Sequence, residues 1–320
     1  MDDIVKLWDT RGSLLHSFEG HKECVRSVAL SASGEVLASG SDDQAVKLWD
    51  VGTGRLLHSL EDHTKWVTSV ALAPSGEVLA SGSWDGIIKI WNGKDGRRLH
   101  SLGGHANEVS ALALSASGEL LASGSYDTAI NIWDARSGTL LHSLREHPLG
   151  VTSVALSASG ELLASGSWDQ SVKIWDAHRG TLIHTFLGHT GAVQSVALSL
   201  DGKRLASASS DGTLKLWSVP ERRLIATFVA SAGGEWVTWI PEGYFIGSPE
   251  IIEGTLRQFT LNETLYPEEF FPRDNPNPSK VAEYLSDRPP RDSEQGGPVE
   301  PSMNPLTEPP EQIDPGTEDR

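Results

Sequence analysis

The feature that most constrains this chain is a period. Trp49, Trp91, Trp133, Trp175 and Trp217 stand 42 residues apart, as do His21, His63, His105, His147 and His189 and also Asp43, Asp85, Asp127, Asp169 and Asp211. The stretch from Ser153 to Asp176 is the clearest copy, and the chain is organised as repeats of it with a broken copy at each end. Fixed self-similarity at this length means one supersecondary unit that buries its apolar faces only by stacking on its neighbours. A length of 320 residues would otherwise suggest about two domains; a stacked array replaces that with one continuous core.

Each unit reads as four short strands. In the copy that opens at His147 these are 151–157, 161–167, 171–176 and 181–186; across the copies Val, Ile, Leu and Thr dominate the strands and Gly, Ser, Asp and Asn the turns. The second strand is apolar or small on both faces, which suits a sheet covered on both sides. Residues 4–9, IVKLWD, match the end of a unit, so the chain starts in the middle of one, with a partial repeat over 2–19 and five full repeats over 20–228. Beyond Phe228 the period fails. Strands are still expected at 235–240, 244–248 and 255–261, forming a divergent last blade over 235–261. The repeat region is expected to span 1–271. Eleven of the seventeen prolines lie in 272–320 with many acidic residues, a composition that cannot offset its ordering entropy, and most of that stretch is expected to be disordered. Residues 281–286 read as one or two helical turns.

The formal charge of −17 argues against nucleic acid, which needs a basic surface, and against an anionic membrane. The single cysteine, Cys24, has no disulfide partner, so a reducing, cytoplasmic setting is the simple reading and a packed thiol its default role. The acidic N-terminus is already in repeat register and does not read as a signal peptide, and no apolar run reaches membrane-spanning length.

A 40–45-residue unit that opens on Gly-His and closes on Trp-Asp resembles the repeat of WD-repeat β-propeller proteins. The near-identity of the copies resembles the bacterial type. The segment GEWVTWIPEGYFIGSPE resembles the C-terminal unit of bacterial WD-repeat proteins associated with caspase-like peptidase or NTPase domains. No peptidase or phosphate-loop motif is present, so the resemblance implies a non-catalytic part. The fold it implies is all-β, a propeller of four-stranded antiparallel blades. Six blades closed by both chain ends is the simplest form: 235–261 would supply the inner strands of the last blade, 13–18 its outer strand, and 4–9 would duplicate or displace 255–261. The alternative is an incomplete or truncated seven-bladed ring with upstream blades missing.

In that family a buried hydrogen-bonded set holds each blade. The matching positions are His21, Ser39, Asp43 and Trp49; His63, Ser81, Asp85 and Trp91; His105, Ser123, Asp127 and Trp133; His147, Ser165, Asp169 and Trp175; and His189, Ser207, Asp211 and Trp217. A carboxylate, imidazole, hydroxyl and indole can satisfy one another in sequence. Asp62 and Glu146 replace the glycine before histidine, and Asn92 and Ser218 replace the closing aspartate, all at turns. A Ser-His-Asp triad reading fails because the trio recurs in every unit on a strand serine rather than an exposed elbow. The second histidine series, His16, His58, His100, His142 and His184, is expected on outer strands at the surface. Successive copies lie too far apart to share a metal ion. No cofactor or metal is expected.

Where the fold constrains the unit the copies agree, so positions that vary are the ones left free. Before the turn aspartate stand Asp42, Trp84, Tyr126, Trp168 and Ser210. Three residues after the motif histidine stand Cys24, Trp66, Glu108, Gly150 and Ala192, and two further on Arg26, Thr68, Ser110, Thr152 and Gln194. The resemblance puts these on the top face, where partners dock. Arg26, Asp42, Trp66, Trp84, Tyr126 and Trp168 are therefore expected to bind a protein or peptide, since Trp, Tyr and Arg are the usual hot-spot types. The competing reading is that the aromatics pack between blades. The alternatives for function are a propeller enzyme using its central channel or its top face, and the regulatory part of a system whose catalytic domain lies on another chain.

Overall fold

The computed structural model describes residues 3–231, 233–248, 259–261, 264–266 and 277–285. Five four-stranded antiparallel sheets follow the period. The first holds β3 (Val25–Leu30), β4 (Val36–Ser41), β5 (Val46–Asp50) and β6 (Leu56–Leu60). The second holds β7 (Val67–Leu72), β8 (Val78–Ser83), β9 (Ile88–Asn92) and β10 (Arg98–Leu102). The third holds β11 (Val109–Leu114), β12 (Leu120–Ser125), β13 (Ile130–Asp134) and β14 (Thr139–Leu144), and the fourth β15 (Val151–Leu156), β16 (Leu162–Ser167), β17 (Val172–Asp176) and β18 (Thr181–Phe186). The fifth opens with β19 (Val193–Leu198), β20 (Arg204–Ser209), β21 (Thr213–Ser218) and β22 (Arg223–Ala230). The innermost strands β3, β7, β11, β15 and β19 sit side by side, so the sheets are arrayed as blades.

The blades interlock through one small residue. Gly40, Gly82, Gly124 and Gly166 lie on the second strand of blades one to four, and a Cβ there would come within 2.5–2.7 Å of the facing Val67, Val109, Val151 or Val193 of the next blade. Those valines are fully buried, as are Leu48, Ile90, Ile132 and Ile174 on the third strands. The apolar core is therefore a series of inter-blade layers, each built from one blade's second and third strands and the next blade's first.

Among the described residues the expected closure into six blades does not occur. β1 (Val5–Trp8) and β2 (Leu14–Phe18) pair only with each other among the described residues, and they pack on the first blade where Phe18 meets Trp49 and Leu37. At the other end β23 (Trp236–Trp239) and β24 (Phe245–Gly247) do not begin a new blade. They extend the fifth sheet at its outer edge, β23 pairing with β22 and β24 with β23. The reason is local: β22 is eight residues long against five or six in its counterparts, and the Ser231–Glu235 turn folds β23 straight back along it. Of the expected strand 255–261, β25 (Phe259–Leu261) pairs with β26 (Thr264–Tyr266), and 255–258 lie outside the described residues. The arc is open. Val28 on β3 is 52% exposed whereas its counterpart Val70 is 5% exposed, because among the described residues no second strand packs against it. Leu214 on the last face is 41% exposed where Ile88, Ile130 and Val172 are fully buried.

Helix α1 (Pro278–Leu285) lies against the extended sheet. Val281 is fully buried with Ile225, Ala226 and Ile240, and the Arg223 guanidinium sits over the Tyr284 ring and hydrogen-bonds its hydroxyl.

Candidate protein-interaction face

The histidine set forms a relay inside each blade. In the first, the Trp49 indole N–H donates to Ser39 Oγ at 2.9 Å, Ser39 Oγ meets His21 Nε2 at 2.8 Å, and His21 Nδ1 meets Asp43 Oδ2 at 2.8 Å. The same geometry holds for Trp133, Ser123, His105 and Asp127, for Trp175, Ser165, His147 and Asp169, and for Trp217, Ser207, His189 and Asp211. Each aspartate also accepts the backbone N–H two residues on and so pins the turn before the third strand, as Asp43 does from Ala45 and Asp127 from Ala129. Burial pushes the Asp169 carboxyl up, but hydrogen bonds from His147 and Ser171 outweigh it and hold it at about 2. Each serine is buried and spends its oxygen on the indole and its proton on the imidazole. Such a serine is no nucleophile; the set is architecture and the chain is not an enzyme by this route.

The second blade departs. His63 Nε2 bonds Ser81 Oγ and the Trp91 indole donates to the same oxygen, but Asp85 Oδ2 lies 3.6 Å from His63 Nδ1. That carboxylate oxygen accepts the Thr64 N–H, as the counterparts in blades one, three and five accept theirs, and in addition the Thr64 hydroxyl. His63 Nδ1 is buried without a hydrogen bond, and desolvation lowers its pKa to about 4.

Two other sets of residues escaped the sequence reading. The outer-strand histidines are clasps, not merely surface residues: His58 Nε2 bonds the Lys94 carbonyl, His100 that of Arg136 and His142 that of His178, each on the next blade's turn. Their shared period with those turns was the available signal. Lys47, Lys89, Lys173 and Lys215 are buried on third strands. Lys47, Lys173 and Lys215 donate to Ser59, Thr185 and Thr227, and Lys89 pairs with Asp62. The Asp62 departure from glycine thus serves a buried lysine. Among the described residues no cluster of His, Cys, Asp and Glu could hold a metal ion, and no helix is long and apolar enough to cross a membrane.

The free positions come together on one rim for a backbone reason. In every blade the N–H before the turn aspartate donates to the carbonyl three residues after the motif histidine: Asp42 to Cys24, Trp84 to Trp66, Tyr126 to Glu108, Trp168 to Gly150 and Ser210 to Ala192. Two loops that differ from copy to copy are thereby held side by side. Trp66 and Trp84 stack within the second blade at 4.5 Å and 14°. Tyr126 and Trp168 stack across the boundary of blades three and four at 4.3 Å, and Gly150 makes the room, since a Cβ there would meet both rings at 3.1 Å. Arg26 forms a two-pronged pair with Asp42 at 2.8 and 2.7 Å and lies over the Trp66 ring at 5.4 Å. Glu108 lies on the same rim, its carboxyl raised by burial against the opposing pull of Arg26. The three tryptophans remain exposed, so they stack on the rim rather than fill the inter-blade core. Cys24 is half-buried and free, its thiol turned toward the Val25 carbonyl.

With this geometry in hand, the comparisons with known proteins decide the family. The model for "WD domain, G-beta repeat" matches residues 12–50, 54–92, 96–134, 138–176 and 180–218, together more than half of the chain. The chain belongs to the WD-repeat family. Each matched repeat is one strand out of step with the blades: it takes the outer strand of one sheet and three strands of the next, so every repeat ties two blades together. Among curated WD-repeat relatives, the chain is 42% identical over 50 residues to nuclear distribution protein PAC1 of Tuber melanosporum and 40% over 50 residues to nuclear distribution protein nudF 1 of Talaromyces marneffei, in each case 16% of this chain and 11% of the relative. It is 53% identical over 38 residues to the ribosome biogenesis protein BOP1 homolog of Drosophila virilis, 12% of this chain and 5% of that one. The chain thus matches only a small part of these relatives. They come from fungi and an insect, which overturns the expected bacterial type. Near-identity between copies reflects the packing every WD blade must satisfy and says nothing of source. In its described residues, the C-terminal unit that carried the bacterial resemblance extends the fifth sheet rather than starting a blade.

Proposed function

We propose that this WD-repeat chain is a non-catalytic interaction module that binds a protein or peptide on the rim formed by Arg26, Asp42, Trp66, Trp84, Tyr126 and Trp168, as a regulatory part of an assembly whose chemistry lies on another chain. The observation that carries it is the pair of exposed aromatic stacks on adjacent blades. Rings that a folded core does not need, placed where the repeat is free to vary, form a solubility cost that a partner would remove. The Arg26–Asp42 pair and exposed Lys65 supply a polar border. The net charge of −17 favours a basic or neutral partner surface over nucleic acid or an anionic membrane. The free thiol of Cys24 suits a reducing, cytoplasmic setting.

The test compares the parent with a Trp84→Ala/Trp168→Ala variant in capture from source cells, after circular dichroism has shown both folded. Partners held by the parent and lost by the variant support the rim. An unchanged partner set sinks it.

A further inference from the structure

One blade completes on its rim an assembly that another leaves unfinished. In the first blade a guanidinium is held by a carboxylate and an aromatic ring: Arg26 is forked onto Asp42 at 2.8 and 2.7 Å and lies 5.4 Å from the centre of the Trp66 ring. That guanidinium comes from the chain itself. Arg26 stands five residues after the motif histidine, where the other repeats carry Thr68, Ser110, Thr152 and Gln194. Thr68, Ser110 and Thr152 are short, and their hydroxyls donate to the Val109, Val151 and Val193 carbonyls of the next blade.

The third blade has the carboxylate and the rings without the cation. Glu108 is half-buried, and among the described residues its carboxylate has no hydrogen bond and no ion pair. Its carbonyl accepts the Tyr126 N–H at 3.2 Å, which fixes it beside the stack of Tyr126 on Trp168. Gly150 holds the same place one boundary on, where a Cβ would meet the ring of Tyr126 in the preceding blade and that of Trp168 in its own. The repeat therefore sets Glu108 at the corresponding point between Trp84 and Tyr126, the facing members of the two stacks. Burial raises the Glu108 carboxyl, and Arg26, already spent on Asp42, opposes this through its charge alone. A carboxylate that has lost part of its water and gained no partner carries a cost that a cation would remove.

We propose that the rim receives an arginine side chain of the partner at Glu108, its guanidinium forked onto the carboxylate and laid against the Trp84 and Tyr126 rings. This deepens, and rests on, the reading of the rim as a protein- or peptide-binding surface. Arginine fits better than lysine because its planar fork can bond a carboxylate twice while stacking on an aromatic face, whereas an ammonium is a strongly hydrated point charge. The net charge of −17 favours a cationic group in general. Residues 286–320 of the chain itself are a poor source, with nine acidic residues against three arginines and no lysine.

The probe is acetyl-Gly-Arg-Gly-amide, titrated into the full chain while the Trp84 and Trp168 indole N–H signals are followed by NMR. Saturable shifts are expected. The same tripeptide with lysine should bind about fivefold more weakly, and with citrulline, which keeps the shape and loses the charge, about tenfold more weakly. Glu108→Gln, shown folded by circular dichroism, should weaken the arginine probe about tenfold. No saturable binding, equal binding of the three probes, or an arginine affinity that Glu108→Gln does not move overturns the assignment. Capture from source cells separates it from the reading it rests on. Partners lost by Trp84→Ala/Trp168→Ala but kept by Glu108→Gln refute the arginine site and leave the rim standing. Partners kept by both variants sink the rim and the arginine site with it.

Discussion

At the scale of single residues, each blade depends on a chain of donors and acceptors in which no member is spare. Truncating Trp133 removes a buried indole and leaves Ser123 short of a donor. Trp133→Ala should cost about 3–5 kcal/mol, as large aromatic truncations in cores do, and Asp127→Ala a smaller amount by leaving the His105 Nδ1–H and the Ala106 and Ala129 amides unpaired. Denaturant midpoints equal to the parent for both would refute the buried relay. The orphaned His63 makes a pH-dependent contribution. Its folded pKa of about 4 lies below the ordinary 6.5, so between those values the unfolded chain takes up a proton that the folded chain refuses. Stability should fall as pH drops from 6.5 to 4. A second loss follows as pH falls from 3.8 through the Asp169 value of about 2, where a carboxylate held charged in the fold is finally protonated. Thr64→Val should free Asp85 to accept from His63 Nδ1 and raise the His63 pKa, read by NMR titration of its ring. An unmoved titration would show that the threonine is not the cause.

At the scale of elements, the boundary between blades is decided by a missing side chain. Gly124→Val would drive a branched side chain into Val151 and Val154, which are themselves fully or almost fully buried. The expected result is loss of several kcal/mol and looser packing of β15, seen as faster amide exchange there; the same change made by Ala208→Val, on the uncovered face, should be nearly neutral. Equal costs at the two sites would mean that the last face is covered. Helix α1 is the other decisive element. Val281→Asp places a carboxylate among Ile225, Ala226 and Ile240 and should lower the thermal midpoint by several degrees, with little effect on amide exchange in blades one to three. A midpoint unchanged by that substitution would detach α1 from the sheet.

At the scale of the whole molecule, a stack that does not close has ends. Each interior blade is covered on both sides by a full blade, whereas beyond its one neighbour the first blade meets only the half-blade of β1 and β2 and the last only α1 among the described residues, so the repeat array behaves as a one-dimensional solid. Amides of β11–β13 should exchange most slowly, with β4 and β20 faster, and the gradient should steepen in mild urea. Uniform exchange across all five blades would indicate a closed ring in solution. The rim of aromatic pairs spans blades two to four, the best supported part of the arc.

The period in Trp, His and Asp was enough by itself to specify four-stranded blades, their register and the buried relay, because those features arise from contacts within one unit and each unit repeats the same instruction. The variable positions were legible for the complementary reason: where packing imposes nothing, copies drift. The number of blades and the fate of the ends were not legible, because they depend on contacts between distant units. The expected last blade had strand-like sequence, yet the length of β22 and a tight turn gave β23 a nearer edge to join, and a backbone ladder close in sequence wins over one that must close a long loop. The stacking of Tyr126 on Trp168 rests on Gly150 in a third loop, and the orphaning of His63 goes with the Thr64 hydroxyl turned onto Asp85, although the equivalent Thr190 leaves the His189–Asp211 bond intact. Both are matters of a few tenths of an ångström across elements that only the tertiary structure brings together.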